Sequence, residues 1–217
     1  MKSAQKSRAL EAHRAALARC RRCRLGSGIR PILSRAMNPR VMLIGQAPGK
    51  VEAGSGKPFS GRAGQTLFRW LDRAGIDEAA ARDEIYISAI TRCFPGAHPS
   101  GRGDRVPTRE EQSRCADWLA AELRIIQPQL LIPVGRLAIE RFLPRLPLNE
   151  LIGKKLEVEH EGGRSRIIPL PHPSGASSWI HQPGNKALVD SAIELLGIEL
   201  ASMGIRKSGP LTQESVA

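Results

Sequence analysis

The sequence predicts an α/β domain built on a short, mostly parallel sheet. Four short apolar runs have the length of buried strands, and segments with helical spacing of apolar residues separate them. Strands that alternate with helices along a chain usually pair in parallel, because each helix returns the chain to the same edge of the sheet. The predicted strands are Val41–Gly45, Ile85–Ile90, Leu130–Val134 and Arg166–Leu170.

The helices are predicted from apolar spacing and from their end signals. Thr108 and Glu111 have the spacing of a capping box at a helix start. Asn185 is suited to cap the last helix and Gly197 to stop it. The predicted helices are a basic amphipathic helix over 4–19, one closed by Gly75, one opened by Thr108 whose apolar face runs from Cys115 to Ile126, one after Gly135, and the last one.

The length and charge limit the possible functions. The 217 residues suit a single domain over 1–203, and residues 204–217 read as a disordered basic and polar tail. The 33 Lys and Arg against 21 Asp and Glu give a net charge of +12. Such an excess favours nucleic acid as the partner, with an anionic membrane surface as the alternative.

No run of the sequence is apolar enough to cross a bilayer, and the charged N-terminus lacks the apolar core of a signal peptide. We therefore expect a cytoplasmic protein that does not enter a membrane, and we expect a monomer. In the cytosol, cysteines more often bind metal than form disulfides.

The four cysteines have the pattern of a metal centre. Cys20 and Cys23 form a C-x2-C pair, Cys93 directly follows the second strand, and Cys115 lies on the apolar face of the helix after Thr108. Four thiolates suit either zinc or a [4Fe–4S] cluster, and the spacing does not choose between them. The absence of a second C-x2-C pair argues mildly against a zinc ribbon. The alternative is a set of buried free cysteines.

A glycine-rich segment over 45–64 follows the first strand. It is not a phosphate-binding P-loop, because Pro58 follows Lys57 where that motif needs Ser or Thr. The segment presents an amide (Gln46), a carboxylate (Glu52) and an aromatic ring (Phe59). A flat ring in a polar loop suits stacking on a nucleobase. In the alternative interpretation, Phe59 fills the core and Glu52 is solvated.

His-Pro-Ser occurs twice, at His98 and at His172. His172 directly follows an apolar run, so a strand would hold it at the carboxyl edge of the sheet, where ligands bind in such folds. His98 lies in a loop rich in Gly, Pro and Arg. We therefore expect His172 to be a catalytic residue. The alternative is a structural histidine that is hydrogen-bonded at the end of a strand.

These motifs, in this order, resemble the uracil-DNA glycosylase superfamily, and within it the iron–sulfur branch of families 4 and 5. The similarity covers roughly residues 18–198. It is carried by Cys20-x2-Cys23, Gly45-Gln-Ala-Pro-Gly49, Gly56-Lys-Pro-Phe59-Ser-Gly61-Arg-Ala-Gly64, the segment from Tyr86 to Cys93, Cys115, and His172-Pro-Ser174.

The resemblance implies an α/β/α sandwich around a four-stranded parallel sheet and a [4Fe–4S] cluster on Cys20, Cys23, Cys93 and Cys115. It implies a monofunctional enzyme that flips uracil out of single- or double-stranded DNA and hydrolyses its N-glycosidic bond, leaving an abasic site.

The resemblance also implies roles for single residues. His172 would stabilise the leaving base, Glu52 would orient water or stabilise the sugar cation, and N–H groups near Gln46 would assist. The expected base-binding residues are Gln46, Ala47, Phe59, Ala89 and His172. The expected DNA-binding residues are Arg62, Ser174, Gly175, Ser177 and Trp179, together with arginines near the CRRC segment and over 102–109.

The chain departs from the family 4 pattern at Ala89, where an asparagine reads the uracil edge. Ser88 cannot replace that asparagine, because neighbouring strand residues point to opposite faces. The departure leaves the range of deaminated bases open, and a glycosylase for hypoxanthine or xanthine is one alternative. The other is a protein that binds uracil-DNA tightly or covalently, for which His98 would be the reactive residue.

Overall fold

The structure is a computed structural model that describes residues 3–23, 25–26, 28–101, 103–174 and 178–207. Within them a five-stranded sheet has the strand order β2-β1-β3-β5-β4. The strands are β1 (Val41–Gly45), β2 (Ile85–Ala89), β3 (Leu130–Pro133), β4 (Leu156–His160) and β5 (Gly163–Ile167). The helices are α1 (Ser3–Ala18), α2 (Lys50–Ser55), α3 (Arg62–Arg73), α4 (Glu78–Glu84), α5 (Arg109–Ile126), α6 (Arg136–Ile139), α7 (Leu148–Leu151) and α8 (Asn185–Ser202), with a 3-10 turn over Ser178–His181.

The predicted α/β class and the parallel centre of the sheet are confirmed. β1 pairs in parallel with β2 on one side and β3 on the other, and β3 pairs in parallel with β5. Alternate residues of β1 enter different cores. Val41 and Leu43 pack with α3, α4 and α8, whereas Met42 and Ile44 pack with α1 and α5. The sheet is therefore the middle layer of an α/β/α sandwich.

The predicted count of four parallel strands is wrong, because β4 adds a fifth strand that runs antiparallel to β5. Its sequence, Leu156-Glu-Val-Glu-His, alternates apolar and charged residues, as is typical of a half-exposed edge strand. This strand contains no continuous apolar run, and for that reason it was not predicted. β5 begins and ends three residues earlier than predicted, and the chain beyond it keeps only one parallel bridge, between Val134 and Leu170.

The helix ends agree with the sequence at one position and differ at two. The capping box is confirmed, since the Glu111 N–H donates to Thr108 and the Thr108 N–H donates to Glu111. The last helix begins after Gly184 rather than at a capping Asn185, and it runs through Gly197. A Cβ at Gly197 would lie 3.2 Å from the Ala74 carbonyl oxygen, so this glycine lets α8 approach the end of α3 closely.

The chain stays packed just beyond α8. Ile205 is buried, and Lys207 forms a 2.7 Å ion pair with Asp72. The rest of the predicted tail, residues 208–217, lies outside the described residues. None of the described helices combines the length and the apolar character that crossing a bilayer needs.

Candidate active site and cysteine centre

A cleft of about 750 Å³ lies at the carboxyl ends of β1, β2 and β3. Parallel strands bring distant parts of the chain together there. The glycine-rich segment after β1, the end of β2, the 103–105 segment and the chain after β5 all line it. The candidate residues brought together at this cleft are Gln46, Ala47, Glu52, Phe59, Arg62, Ala89, His172 and Ser174.

Phe59 is held in an unusual backbone conformation at this cleft. Its φ is +50°, a left-handed value that costs a bulky residue free energy. Such a conformation persists only where the surrounding structure imposes it. Arg82, from α4, imposes it from one side, because its guanidinium donates to the carbonyls of Pro58 (2.8 Å) and Phe59 (3.3 Å). Such strain is typical of functional sites. No sequence motif pointed to Arg82.

Two glycines make room for Phe59. A Cβ at Gly45, the last residue of β1, would lie 2.8 Å from the Phe59 ring. A Cβ at Gly64, in the first turn of α3, would overlap the backbone carbonyl of Phe59. The ring therefore packs directly against the end of the central strand, and the glycines of this segment are required for that close approach.

Glu52 fastens the same segment from inside. Its carboxylate accepts the Gly49 N–H at 3.0 Å through Oε2 and the Gly61 N–H at 2.9 Å through Oε1. The residue is 8% exposed. Each oxygen thus receives one backbone donor, and the carboxylate ties the start of α2 to the start of α3. A solvated Glu52 does not fit this geometry.

His172 is positioned with its proton on a known nitrogen. The Ser174 N–H, which can only donate, points at Nδ1 at 3.2 Å. Nδ1 is therefore the acceptor, and the neutral ring carries its hydrogen on Nε2. Burial lowers the pKa of His172, which favours that neutral ring. A Cβ at Gly135 would lie 3.1 Å from the imidazole, so this glycine, at φ +85°, admits the ring to the edge of β3.

His98 repeats this local turn at another place. Its Nδ1 accepts the Ser100 N–H at 3.2 Å and lies 2.7 Å from the Ser100 hydroxyl. The residue is exposed and does not line the cleft. The two His-Pro-Ser triplets therefore have the same local geometry. They differ in that only His172 lines the cleft.

The end of β2 has two different faces. Ala89 lines the cleft. Ser88 also borders the cleft, but its hydroxyl donates to Glu122 at 2.8 Å in the opposite layer and so is directed away from the cleft. Gln46 also lines the cleft, and among the described residues nothing bonds its side-chain amide. That amide is available to a ligand.

The residues expected to bind DNA are dispersed. Arg62 and Lys50 are exposed at the rim of the cleft. Trp179 is half-buried against the core, and Asn185 donates to its carbonyl at 2.8 Å. Arg22 pairs with an aspartate of α5, and Arg105 pairs with Glu111. Gly175, Ser177 and Arg102 lie outside the described residues.

The four cysteines line a second cavity on the other side of the end of β2. Cys20, Cys23, Cys93 and Cys115 all face it. Burial, followed by repulsion from the other three thiolates, raises the pKa of Cys93 to about 12. Burial also raises the pKa of Cys23 and of Cys115. Four thiolates can be ionised together here when a cationic centre compensates their charge.

Three buried donors around this cavity fit an anionic sulfur-rich group. The Thr91 hydroxyl, one N–H group of Arg92 and the Trp118 indole N–H are buried without a hydrogen-bond partner among the described residues. All three residues line the cavity. Buried donors rarely stay unpaired, and sulfur atoms at the centre of the cavity would accept them.

Arg92 and Glu122 connect the two cavities. Arg92 lines both of them and pairs with Glu122, which is fully buried. Glu122 also accepts from the Tyr86 hydroxyl at 3.0 Å and lies 3.3 Å from His13 Nε2. Burial opposes ionisation of Glu122, but Arg92 and the other donors outweigh it and keep the pKa of this carboxyl below its ordinary value.

Comparison with known proteins places this arrangement in a family. A type-4 uracil-DNA glycosylase of Thermotoga maritima is 30% identical over 80% of this chain and 81% of its own length. One from Archaeoglobus fulgidus is 28% identical over 82% and 86%. A type-5 uracil-DNA glycosylase of Pyrobaculum aerophilum is 32% identical over 64% and 62%. Residues 32–197 match the family described as the uracil DNA glycosylase superfamily. The chain therefore belongs to the uracil DNA glycosylase superfamily.

Proposed function

We propose that this protein is a monofunctional glycosylase that flips uracil out of DNA and hydrolyses its N-glycosidic bond, leaving an abasic site. The observation that carries the proposal is the meeting of Phe59 and His172 in one cleft. One residue is a strained aromatic ring held against the end of β1, and the other is a neutral histidine with its hydrogen on Nε2. Stacking and hydrogen bonding of a flipped base need these two groups.

The chemistry follows from where charge develops. Breaking the bond leaves a cation-like sugar and an anionic uracil. The Phe59 ring would stack on the base, and the His172 Nε2–H would donate to the oxygen where negative charge accumulates. The neutral ring suffices for this task, because its Nε2–H can donate to the anion without the ring first taking up a proton. The backbone around Gln46 and Ala47 would line the base.

Base selectivity is assigned to Gln46 in place of the asparagine that Ala89 replaces. An amide offers both a donor and an acceptor, as the edge of uracil does. The Gln46 amide is unpaired within the described chain and lines the cleft. The Ser88 hydroxyl is excluded from this role by its bond to Glu122. Lys50 and Arg62 at the rim would bind phosphates, and the net charge of +12 would strengthen that contact.

The four cysteines would hold a [4Fe–4S] cluster, with Thr91, Arg92 and Trp118 donating to its sulfur atoms. When bound, the cluster would link the segment after α1, the end of β2 and the start of α5, and so contribute folding free energy. Its cavity is separate from the cleft that holds Phe59 and His172, so its role is structural and electrostatic.

The glycosylase proposal is tested with DNA that contains a single uracil, followed by alkali to break abasic sites. We expect cleavage by the parent protein. His172→Ala should lower the single-turnover rate by about 10²–10³-fold, the usual cost of one donor to a developing anion. The matched control is His98→Ala, which removes the same ring from the same local turn outside the cleft, and it should retain the parent rate.

Equal rates for the parent and His172→Ala would show that the site is wrongly assigned. Multiple turnovers would exclude the covalent binding protein, whereas a protein–DNA adduct that survives denaturation and is lost in His98→Ala would favour it. Oligonucleotides with hypoxanthine or xanthine separate the alternative substrates. Gln46→Ala should narrow the difference in rate between uracil and these bases.

The cluster proposal is tested by chemical analysis of protein purified without oxygen. We expect iron and acid-labile sulfide in equal amounts and a broad visible absorption. Cys115→Ser should lose both, since the cluster needs all four thiolates. Ala116→Ser, which adds a hydroxyl at the next, exposed position, should keep them. Zinc in place of iron, or full iron in Cys115→Ser, would contradict the assignment.

A further inference from the structure

Two carboxylates line the cleft, and they are placed very differently. Glu52 comes from the glycine-rich segment. Asp104 comes from a separate hairpin much further along the chain. The Lys50 N–H donates to Asp104 Oδ2 at 3.3 Å. A Cβ at Gly49 would lie 2.6 Å from that oxygen and 2.8 Å from Glu52 Oε2. The two carboxylates therefore both lie against Gly49.

Glu52 is already occupied by its own backbone. Both of its oxygens accept N–H groups, from Gly49 and from Gly61, and the side chain is buried. Both oxygens are therefore engaged, and neither can accept a proton from water without the loss of a bond to the backbone. Moving it toward a substrate would leave the Gly49 and Gly61 N–H groups unpaired and would open the segment that holds Phe59.

Asp104 has the freedom that Glu52 lacks. Its Oδ2 receives the Lys50 N–H, and among the described residues nothing bonds its Oδ1. The residue is exposed and lines the cleft, so the second oxygen is available to solvent and to substrate. One hydrogen bond orients the carboxylate, and the other oxygen remains to accept a proton.

The hairpin that carries Asp104 is itself fixed in place. Its two arms are joined by bonds from the His98 N–H to the Gly103 carbonyl (2.9 Å) and from the Arg105 N–H to the Gly96 carbonyl (3.0 Å). The Arg105 guanidinium then forms a two-pronged ion pair with Glu111, at 2.8 and 2.6 Å, in the first turn of α5. Asp104 is therefore presented by an anchored element.

We propose that Asp104, rather than Glu52, is the catalytic carboxylate of this cleft. As the bond between the sugar C1′ and the uracil nitrogen breaks, its electron pair leaves with the base, and the His172 Nε2–H stabilises the resulting anion. Water attacks C1′, and Asp104 accepts the proton that this water releases. The uracil anion takes up a proton from solvent, so the reaction is a balanced hydrolysis.

Glu52 acts in this scheme as a positioning residue for Phe59. The assignment of Asp104 rests on the proposed glycosylase function. The sequence alone favoured Glu52, because Glu52 lies in the glycine-rich segment that carries much of the resemblance, whereas Asp104 belongs to none of the motifs that carry it.

The test is the single-turnover rate of uracil release by Asp104→Asn. An asparagine keeps an oxygen for the Lys50 N–H, so the fold should be preserved. Its amide does not accept the proton that the attacking water releases. We expect the rate to fall by about 10²–10⁴-fold, with DNA affinity nearly unchanged. Asp104→Glu, which keeps a carboxylate at this position, should restore part of the rate.

The matched control is Asp190→Asn, the same change on the exposed face of α8, where the partner is Arg73. It should keep the parent rate. Glu52→Gln should mainly lower the melting temperature, because its NH2 group would face a backbone donor. A parent rate for Asp104→Asn, with active parent protein, would overturn the role of Asp104 alone. Absence of uracil release by the parent would overturn the glycosylase proposal itself.

Discussion

Replacing Glu122 with alanine is expected to lower the free energy of unfolding by about 3–5 kcal/mol, the usual cost of removing one member of a buried ion pair. The Glu122 carboxylate is fully buried and bonds Arg92, Ser88 and Tyr86. Without it, the Arg92 guanidinium, which is 3% exposed, would remain charged in the core with no carboxylate beside it.

The measurement is denaturant unfolding of the variant beside Glu110→Ala. Glu110 lies on the same helix, α5, and forms an ion pair with Arg114 on the surface, where its side chain is 71% exposed. Such a pair contributes less than about 1 kcal/mol. The two substitutions therefore change the same residue type on one helix and differ in burial. Unfolding curves that coincide would show that the buried network does not support the fold.

The importance of Glu122 could not be predicted from the sequence. Its helical spacing from Cys115 and Leu119 places it on the apolar face of α5, but nothing in the local pattern identifies the groups that compensate its buried charge. Its partners come from α1, β2 and the turn before Cys93. A buried charge depends on tertiary neighbours, whereas strands and helices depend largely on local pattern.

The same difference separates what was predictable in the cleft from what was not. The presence of Phe59 and His172 in the cleft was predictable because each belongs to a short motif in a segment that follows a strand. The roles of Arg82 and Asp104 were not, because Arg82 bonds the Phe59 segment and Asp104 lines the cleft from elements far away in sequence, and neither carries a motif of its own. The edge strand β4 was missed for a different reason, since only two of its five residues are apolar and the prediction relied on continuous apolar runs.

Gly64→Ala is expected to lower the rate of uracil release by about 10³-fold and to destabilise the fold. The added Cβ would overlap the carbonyl of Phe59. The backbone fixes the position of the new Cβ, and the Phe59 carbonyl is itself a backbone group, so no side-chain rotation relieves the overlap. Overpacking of this kind costs about 1–3 kcal/mol. The segment must move away from α3, and Phe59 must move with it. A displacement of about 1 Å at a site can cost about 10²-fold in rate, and weaker stacking on the base adds to this loss.

Gly54→Ala is the matched control, because Gly54 lies in α2 of the same glycine-rich segment and a Cβ there would meet nothing within 4 Å. Alanine at such a helical position usually adds about 0.5–1 kcal/mol of stability. We expect Gly54→Ala to keep the parent rate and Gly64→Ala to lose it, in single-turnover assays at a temperature where both are folded. If both variants release uracil like the parent, then Phe59 does not need its left-handed backbone for catalysis. Loss of rate in Gly64→Ala alone would instead show that catalysis needs the left-handed conformation of Phe59. Arg82, Glu52 and two glycines of the segment hold that conformation in place.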